Sequence, residues 1–416
     1  MKTPGRLLVV TGLLILMTLP AWALVPERRK VEGSEELGWF FAPTPARIEG
    51  VGQAIPLFGL LTNFYEGADM IAVKTLPGGD FDITVAVLND FPVFTRHFLF
   101  KGGYFQQEVA FNLYSRGIDS QSKDYIVPYI KQSGNFWDFR YVGWEERVEL
   151  FYRQFEGKGQ QTKVFDAKGN LLSDVVTKTE FSASQYGYQL DLTDENIDPR
   201  IGVRFGQKYS PNTSKNAFTS DVTLIDSEIN FYLPLRESDT IAFNFFTSLS
   251  QINRAGVTDE ATARTVLSQN CASGDFACSV AEDKLVADAL AYNRHGSTSL
   301  GGPNRLRAYA MNRFTAGNSN FRGVEYRYNF DDKANPLNWG FIGGTNSLLQ
   351  MAFFFEQGTV SDERSQLLSN MKPSYGMGFR SLISGFIYRL DLAQGDEGLG
   401  VTLFIDYPMQ LLPITE

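Results

Sequence analysis

The residues of this chain best suited to chemistry are one loop arginine and the carboxylates that follow it. Leu300 to Tyr309 reads LGGPNRLRAY, and Arg307 within it is followed by Glu325 in VEYRYNF (Val324 to Phe330) and Glu356 in FFFEQG (Phe353 to Gly358). A guanidinium is a planar fork of donors that can engage one or two carboxylates at once. Removed from water, it needs opposite charge and satisfied donors. The pattern therefore points to a lock in which Arg307 holds its loop against strands bearing Glu325 and Glu356, with no bond made or broken. The opposing interpretation is an exposed loop arginine of no consequence, and the nearby carboxylates weigh against it.

Other chemistries find less support. His97 and His295 are far apart and neither lies in a recognisable motif, although a pairing of either with a serine would resemble a hydrolase. Gly301 and Gly302 lack the strand–turn–helix setting of a phosphate loop. The sequence is expected to specify no enzyme, no cofactor and no metal site. Its net charge of −9 argues against nucleic acid, which selects a basic footprint. Cys271 and Cys278 are the only cysteines. In an exported chain they imply a small local disulfide rather than a metal pair.

The elements that would position Arg307 are strands. Val324, Tyr326, Tyr328 and Phe330 share one face, and Glu325, Arg327 and Asn329 the other. Tyr375, Met377 and Phe379 likewise oppose Gly376, Gly378 and Arg380, and Phe386, Tyr388 and Leu390 oppose Ile387, Arg389 and Asp391. The split recurs at Val401, Leu403, Ile405 and Tyr407 against Thr402, Phe404 and Asp406, and upstream at Ile241, Phe243 and Phe245 against Ala242 and Asn244. A soluble antiparallel sheet would also alternate. Sparse mid-strand charges and crowded aromatics instead fit a lipid-facing wall with aromatic girdles, placing the loop inside a membrane β-barrel.

The first 23 residues are expected to be a secretory signal peptide, with Lys2 and Arg6, an apolar run from Leu7 to Leu19, and Ala21-Trp22-Ala23 as the cleavage site. That run is too short to span a bilayer, which takes about 20 residues. Residues 24–50 then form a short periplasmic segment, with the first strand near Pro56, and residues 51–416 the barrel. Segments 116–137 and 157–176 look like loops, and Asp331 to Pro336 like a short polar turn on the periplasmic side. Residues 251–317 are an external loop insertion containing both cysteines. Short helices are predicted there at Thr258 to Val266, capped by Thr258, and at Ala281 to Leu290. The mature length, 416 − 23 = 393, accommodates about 16 strands at about 24 residues per strand and connection.

From about residue 240 onward the chain resembles the bacterial surface antigen family, which includes the BamA and TamA assembly barrels, organellar assembly pores and two-partner secretion transporters. Leu300-Gly301-Gly302 is similar to the lead-in of that family's inward loop, and Leu306-Arg307-Ala308-Tyr309 to its Arg-Gly-aromatic tip. Phe354 to Gly358 is similar to the Phe-x-Asp-x-Gly strand, with Glu356 in place of Asp. Gly376 to Arg380 and Arg389 to Asp391 resemble the closing hairpin region. The resemblance implies a 16-strand barrel whose long sixth external loop folds into the lumen, held by Arg307, Tyr309, Glu325, Glu356 and Gly358. It also implies a Gram-negative outer-membrane location and a part in outer-membrane assembly, protein insertion or translocation. Outer-membrane lipid, separate periplasmic or barrel partners and a second copy of the chain are the partners it admits. The alternatives are a plain or lipid-perturbing pore, and a surface barrel that binds through the disulfide-bearing loop.

Three departures carry expectations of their own. Ala308 stands where glycine is usual, which disfavours a left-handed backbone there. Residues 24–50 are too few for a periplasmic domain, so a barrel without such domains is expected. The chain ends Leu411-Leu412-Pro413-Ile414-Thr415-Glu416 rather than on an aromatic. In the family the first and last strands are thought to part, and Gly398 and Gly400 would weaken the last strand here.

Overall fold

In the computed structural model, the described residues are 25–28, 37–213, 218–236, 238–268, 270–271, 276–331, 335–383, 386–406, 408–409 and 411. The expected signal peptide and the final residues 412–416 lie outside them, as does Tyr407.

Among the described residues, 21 strands form one antiparallel sheet. They begin with β1 (Gly38–Pro43), β2 (Ala46–Ile48), β3 (Gly52–Ala54), β4 (Pro56–Tyr65), β5 (Ala68–Thr75), β6 (Asp82–Pro92) and β7 (Phe98–Ala110). Next come β8 (Leu113–Tyr114), β9 (Tyr125–Gly143), β10 (Val148–Asp166), β11 (Leu171–Ser173), β12 (Thr177–Thr193), β13 (Gly202–Asn212) and β14 (Asp221–Pro234). The last are β15 (Thr240–Arg254), β16 (Asn318–Asn329), β17 (Asn335–Trp339), β18 (Ile342–Ser361), β19 (Lys372–Ile383), β20 (Phe386–Gly395) and β21 (Gly398–Ile405).

The sheet closes on itself. Thirteen strands make the closed ring, running β1, β4, β5, β6, β7, β9, β10, β12 to β16 and β18, with β18 returning to β1 through Trp39↔Gly343 and Phe40↔Ile342. The other eight pair with ring members or one another, and β19, β20 and β21 continue from β18. Between β21 and β2 a single register pair, Arg47↔Leu403, forms the contact, against eight between β20 and β21.

Alternation sorts side chains by face. Tyr328, Phe330, Phe353, Phe355, Tyr375, Met377 and Phe379 are exposed, whereas Glu325, Arg327, Asn329, Glu356, Arg380, Arg389 and Asp391 are buried. In a water-exposed sheet this order would be inverted. It is the order expected of a membrane barrel, with apolar side chains on the outer wall and charge in the lumen. The lumen is filled. Phe246, Leu300, Leu306, Tyr309, Phe314 and Phe321 form one buried cluster, joined by Met409 and Leu411 from the segment after β21. That segment is tied to the loop by Met409 N donating to the Asn304 carbonyl at 3.1 Å.

Several boundaries differ from those read in the sequence. The sheet starts at Gly38, upstream of the expected first strand near Pro56, because Gly38 to Pro43 pairs with Leu57 to Thr62. Most of 116–137 and 157–176 is strand rather than loop. Stretches such as Lys131-Gln132-Ser133-Gly134-Asn135 are polar on both faces and read as loops, yet 18 register pairs join β9 to β10 and 14 join β10 to β12. At 19 residues and ~3.3 Å each, β9 and β10 also exceed the ~30 Å hydrocarbon core. The polar turn expected over Asp331 to Pro336 contains the start of β17, which pairs with β18. In the loop between β15 and β16, α1 (Glu260–Leu267) is capped by Asp259, whose carboxylate accepts from Thr262 N, not by Thr258. The second helix, α2 (Phe276–Asn293), is longer than predicted. Among the described residues no helix is long and apolar enough to cross a membrane, a criterion that does not bear on barrels.

Candidate functional site

Between β15 and β16 the chain turns inward after α2 and forms a tight hairpin. Leu300 and Phe314 exchange backbone hydrogen bonds of 2.9 Å in each direction. Gly301 and Gly302 have φ of +105° and +107°, and a Cβ on Gly301 would lie 2.3 Å from the Ala310 carbonyl oxygen. This explains the two glycines physically. The left-handed non-glycine residue of the tip is Leu306, with φ of 55°, and not Ala308. The expected strain at Ala308 is therefore absent, because the turn is made two residues earlier. The tip needs room instead at Gly395 and Gly400, where added Cβ atoms would lie 2.9 Å from Ala308 Cβ and 3.0 Å from the Ala308 carbonyl oxygen.

Arg307 is fully buried and faces carboxylates from three strands. Its Nε donates to Glu356 Oε1 at 2.8 Å and its backbone N–H to Glu356 Oε2 at 2.9 Å. The two terminal nitrogens lie 3.1 Å from Glu325 Oε2 and 3.5 Å from Asp391 Oδ2. Those two are ion pairs without hydrogen-bond geometry, so directional bonding is concentrated on Glu356. The guanidinium carbon sits 3.4 Å from the Phe354 ring centroid, a cation–π contact. Burial acts to lower the Arg307 pKa, but the Glu356, Asp391 and Glu325 carboxylates outweigh it and leave it raised, so the side chain stays charged.

The carboxylates are shared. Glu325 accepts from Arg380 at 2.8 and 2.5 Å and from Arg327 Nε at 2.9 Å. Asp391 pairs with Arg389, whose other nitrogens donate to the Pro303 and Asp406 carbonyls at 2.5 and 2.7 Å. Tyr309 donates its hydroxyl to the Pro373 carbonyl at 3.0 Å, and Ala308 N donates to Ser374 Oγ at 3.1 Å. Gly358 leaves space for Leu300 and Leu306, since a Cβ there would meet Leu300 Cδ1 at 2.7 Å. Arg307, Tyr309, Glu325, Glu356, Gly358, Leu300, Leu306 and Ala308 thus converge, with Gly301 and Gly302 shaping the hairpin behind them.

Part of this site has no signature in the local sequence. Asp391, Arg380 and Arg389 were visible as inward positions on alternating strands, but nothing local gave their register against Arg307. Arg305, paired with Glu228 at 2.5 Å, and Arg313, paired with Glu397 at 2.7 Å, also anchor the loop. The turn Asp194–Ile201, which reaches the same charge network from the other end, carried no signal beyond its acidity.

Cys271 and Cys278 are joined in a disulfide with Cα atoms 5.6 Å apart, away from the lock. His97 and His295 are not brought together: His97 Nδ1 is 2.8 Å from the Val142 carbonyl, and His295 Nδ1 is 3.3 Å from Ser220 Oγ. Ser220 is 1 % exposed, and its hydroxyl donates to Asn293 Oδ1. Among the described residues no group of three or more His, Cys, Asp or Glu could hold a metal ion.

No family model matches the sequence, and no curated protein does. Solved structures do share the architecture. The chain is similar to CdiB from Escherichia coli, with a TM-score of 0.50 and 8% identity over 88% of this chain and 62% of that one, so it spans less than two thirds of CdiB. It is also similar to BamA from Haemophilus ducreyi lacking POTRA domains 1–3, with a TM-score of 0.48 and 10% identity over 91% of this chain and 70% of that one. At these identities the likeness concerns the fold.

Proposed function

We propose that this chain is an outer-membrane barrel of the BamA/TamA-like class that takes part, with separate partners, in assembly, insertion or translocation at a Gram-negative outer membrane. Arg307 is its loop lock, a structural element and not a catalyst. The observation that carries this reading is the fully buried Arg307, drawn from a 63-residue loop (residues 255–317) onto carboxylates of three different strands. The fold shared with CdiB supports it, as does the lipid-type outer face. A count of sixteen wall passages follows if β1–β2, β3–β4, β7–β8, β11–β12 and β16–β17 are each one interrupted strand, since 21 − 5 = 16. The single register pair between β2 and β21 supports a weak seam beside the lock.

The test is in-cell crosslinking and recovery of the protein from outer membranes, beside an Arg307→Ala control. Nascent barrels or periplasmic proteins recovered with the wild type and lost with the variant would support the reading. Recovery of only lipid or the chain itself would favour a pore or lipid-perturbing barrel.

A further inference from the structure

The barrel carries a second inward segment at the end opposite the long loop. β12 and β13 meet there through Asp194–Ile201 (DENIDPRI). Other connections at that end expose apolar side chains, with Leu235 at 58 % and Trp339 at 77 %, and two of them bury a single charged residue each, Asp239 and Arg147. In this turn Asp194, Glu195, Asp198 and Arg200 are instead 3–8 % exposed, unusual for charged residues in a hairpin.

The turn is built to stay folded. Asp194 Oδ1 accepts from Arg200 N and Ile201 N at 2.8 and 3.0 Å, and the Glu195 carboxylate accepts from Ile197 N and Asp198 N. Thr193 Oγ1 donates to the Glu195 carbonyl at 2.7 Å, and Arg204 donates to the Asn196 carbonyl at 2.7 Å. It then reaches across the lumen. Ile197 packs against the cluster formed by Leu348, Leu382 and Ile387 of β18, β19 and β20, well round the wall from β12 and β13. Asp198 Oδ1 accepts from Gln350 Nε2 at 3.3 Å and lies 3.9 Å from an Arg327 terminal nitrogen.

Two short paths lead from Asp198 to the lock. Arg327 donates to Glu325, which pairs with Arg307. Gln350 accepts from Arg380 at 3.0 Å, and Arg380 also donates to Glu325. We infer that Asp194–Ile201 is a fixed plug of the mouth opposite the long loop, coupled to the Arg307 lock through Glu325. The inference rests on the lock reading and adds its regulation: loosening one closure loosens the other. Coupling of this kind needs a shared network with discrete arrangements, and Glu325, held by three arginines, is the shared member.

The experiment uses the full chain in isolated outer membranes and an impermeant maleimide. Leu348→Cys reports the plug, because Leu348 is 1 % exposed within the cluster against which Ile197 packs, and Ala310→Cys reports the lock. Because Thr193 and Gly202 are register partners, Asn-Gly can replace residues 194–201 as a two-residue hairpin. Ile197→Asp serves if that variant does not fold, judged by heat-modifiable gel migration. Leu348→Cys should be protected in the otherwise unchanged chain and label at least about tenfold faster with the shortened turn, a change within the range for one packed network. Arg307→Ala should also speed Leu348→Cys labelling, and that effect should vanish once the turn is shortened. Equal Leu348→Cys rates with and without the turn would overturn the plug, and independent, multiplying effects would overturn the coupling. Failure of the lock itself would show separately, as Ala310→Cys labelling unchanged by Arg307→Ala.

Discussion

Replacing Arg307 with alanine sets two contributions against each other, and their sizes decide the outcome. The variant leaves Glu325, Glu356 and Asp391 buried without the shared guanidinium, and breaking a buried ion pair by removing one partner costs ~3–5 kcal/mol. Glu356 keeps two donors, the backbone N–H of residue 307 and the Ser374 hydroxyl, which places the loss toward the lower end of that range. Against it stand Leu300, Leu306, Tyr309 and Phe314, each at most 1 % exposed. At ~1.5–3 kcal/mol for each buried apolar side chain, these four anchor the tip by about 6–12 kcal/mol. The anchoring exceeds the loss, so the loop should remain mostly docked while its released population rises by roughly 10²–10⁴-fold. Impermeant maleimide labelling of Ala310→Cys, buried in the docked loop, reads that population. A rise below about threefold in Arg307→Ala would show that the apolar cluster alone holds the loop and would refute the lock.

Further outcomes follow from the same geometry. Glu325→Gln should lower the temperature of heat-modifiable gel migration more than Glu356→Gln, because Glu325 faces Arg307, Arg327 and Arg380 whereas Glu356 faces Arg307 alone. Gly395→Ala should destabilise the docked tip by ~1–3 kcal/mol, since the new Cβ would lie 2.9 Å from both Ala308 Cβ and the Tyr309 ring, and accelerated labelling of Ala310→Cys would register it. His295 lies in the long loop between β15 and β16, where burial first and Arg116 second lower its pKa below 6.5. A depressed histidine contributes stability that is full above 6.5 and fades as pH falls through the lower folded value. Proteolysis of residues 255–299 should therefore quicken on acidification below pH 6.5, and His295→Gln should flatten that dependence.

The fold class was legible because lumen and lipid impose opposite chemistry on alternate residues, and Val324 to Phe330 displays this without ambiguity. Strand limits were less legible. The polar stretches Lys131–Asn135 of β9 and Gly157–Lys163 of β10 carry no lipid-facing signal, so only pairing with neighbours reveals them as strand. Gly38 to Pro43 was missed for a related reason, being too short to alternate clearly. At the site, Arg307, Glu325 and Glu356 were visible as residue types at strand positions. Asp391 was equally visible as an inward residue, but its 3.5 Å approach to Arg307 across 84 residues depends on strand register that no local pattern encodes. The buried turn at Asp194–Ile201 was least legible of all, since an acidic hairpin ordinarily faces water.

The central claim is that the tip of the long loop lies inside the barrel against β19. Crosslinking of Ala308→Cys with Ser374→Cys in intact cells tests it most directly, because Ala308 N lies 3.1 Å from Ser374 Oγ. The account predicts efficient crosslinking of the paired variant, with residue 308 protected from externally added maleimide. Rapid external labelling of Ala308→Cys without crosslink to residue 374 would contradict it.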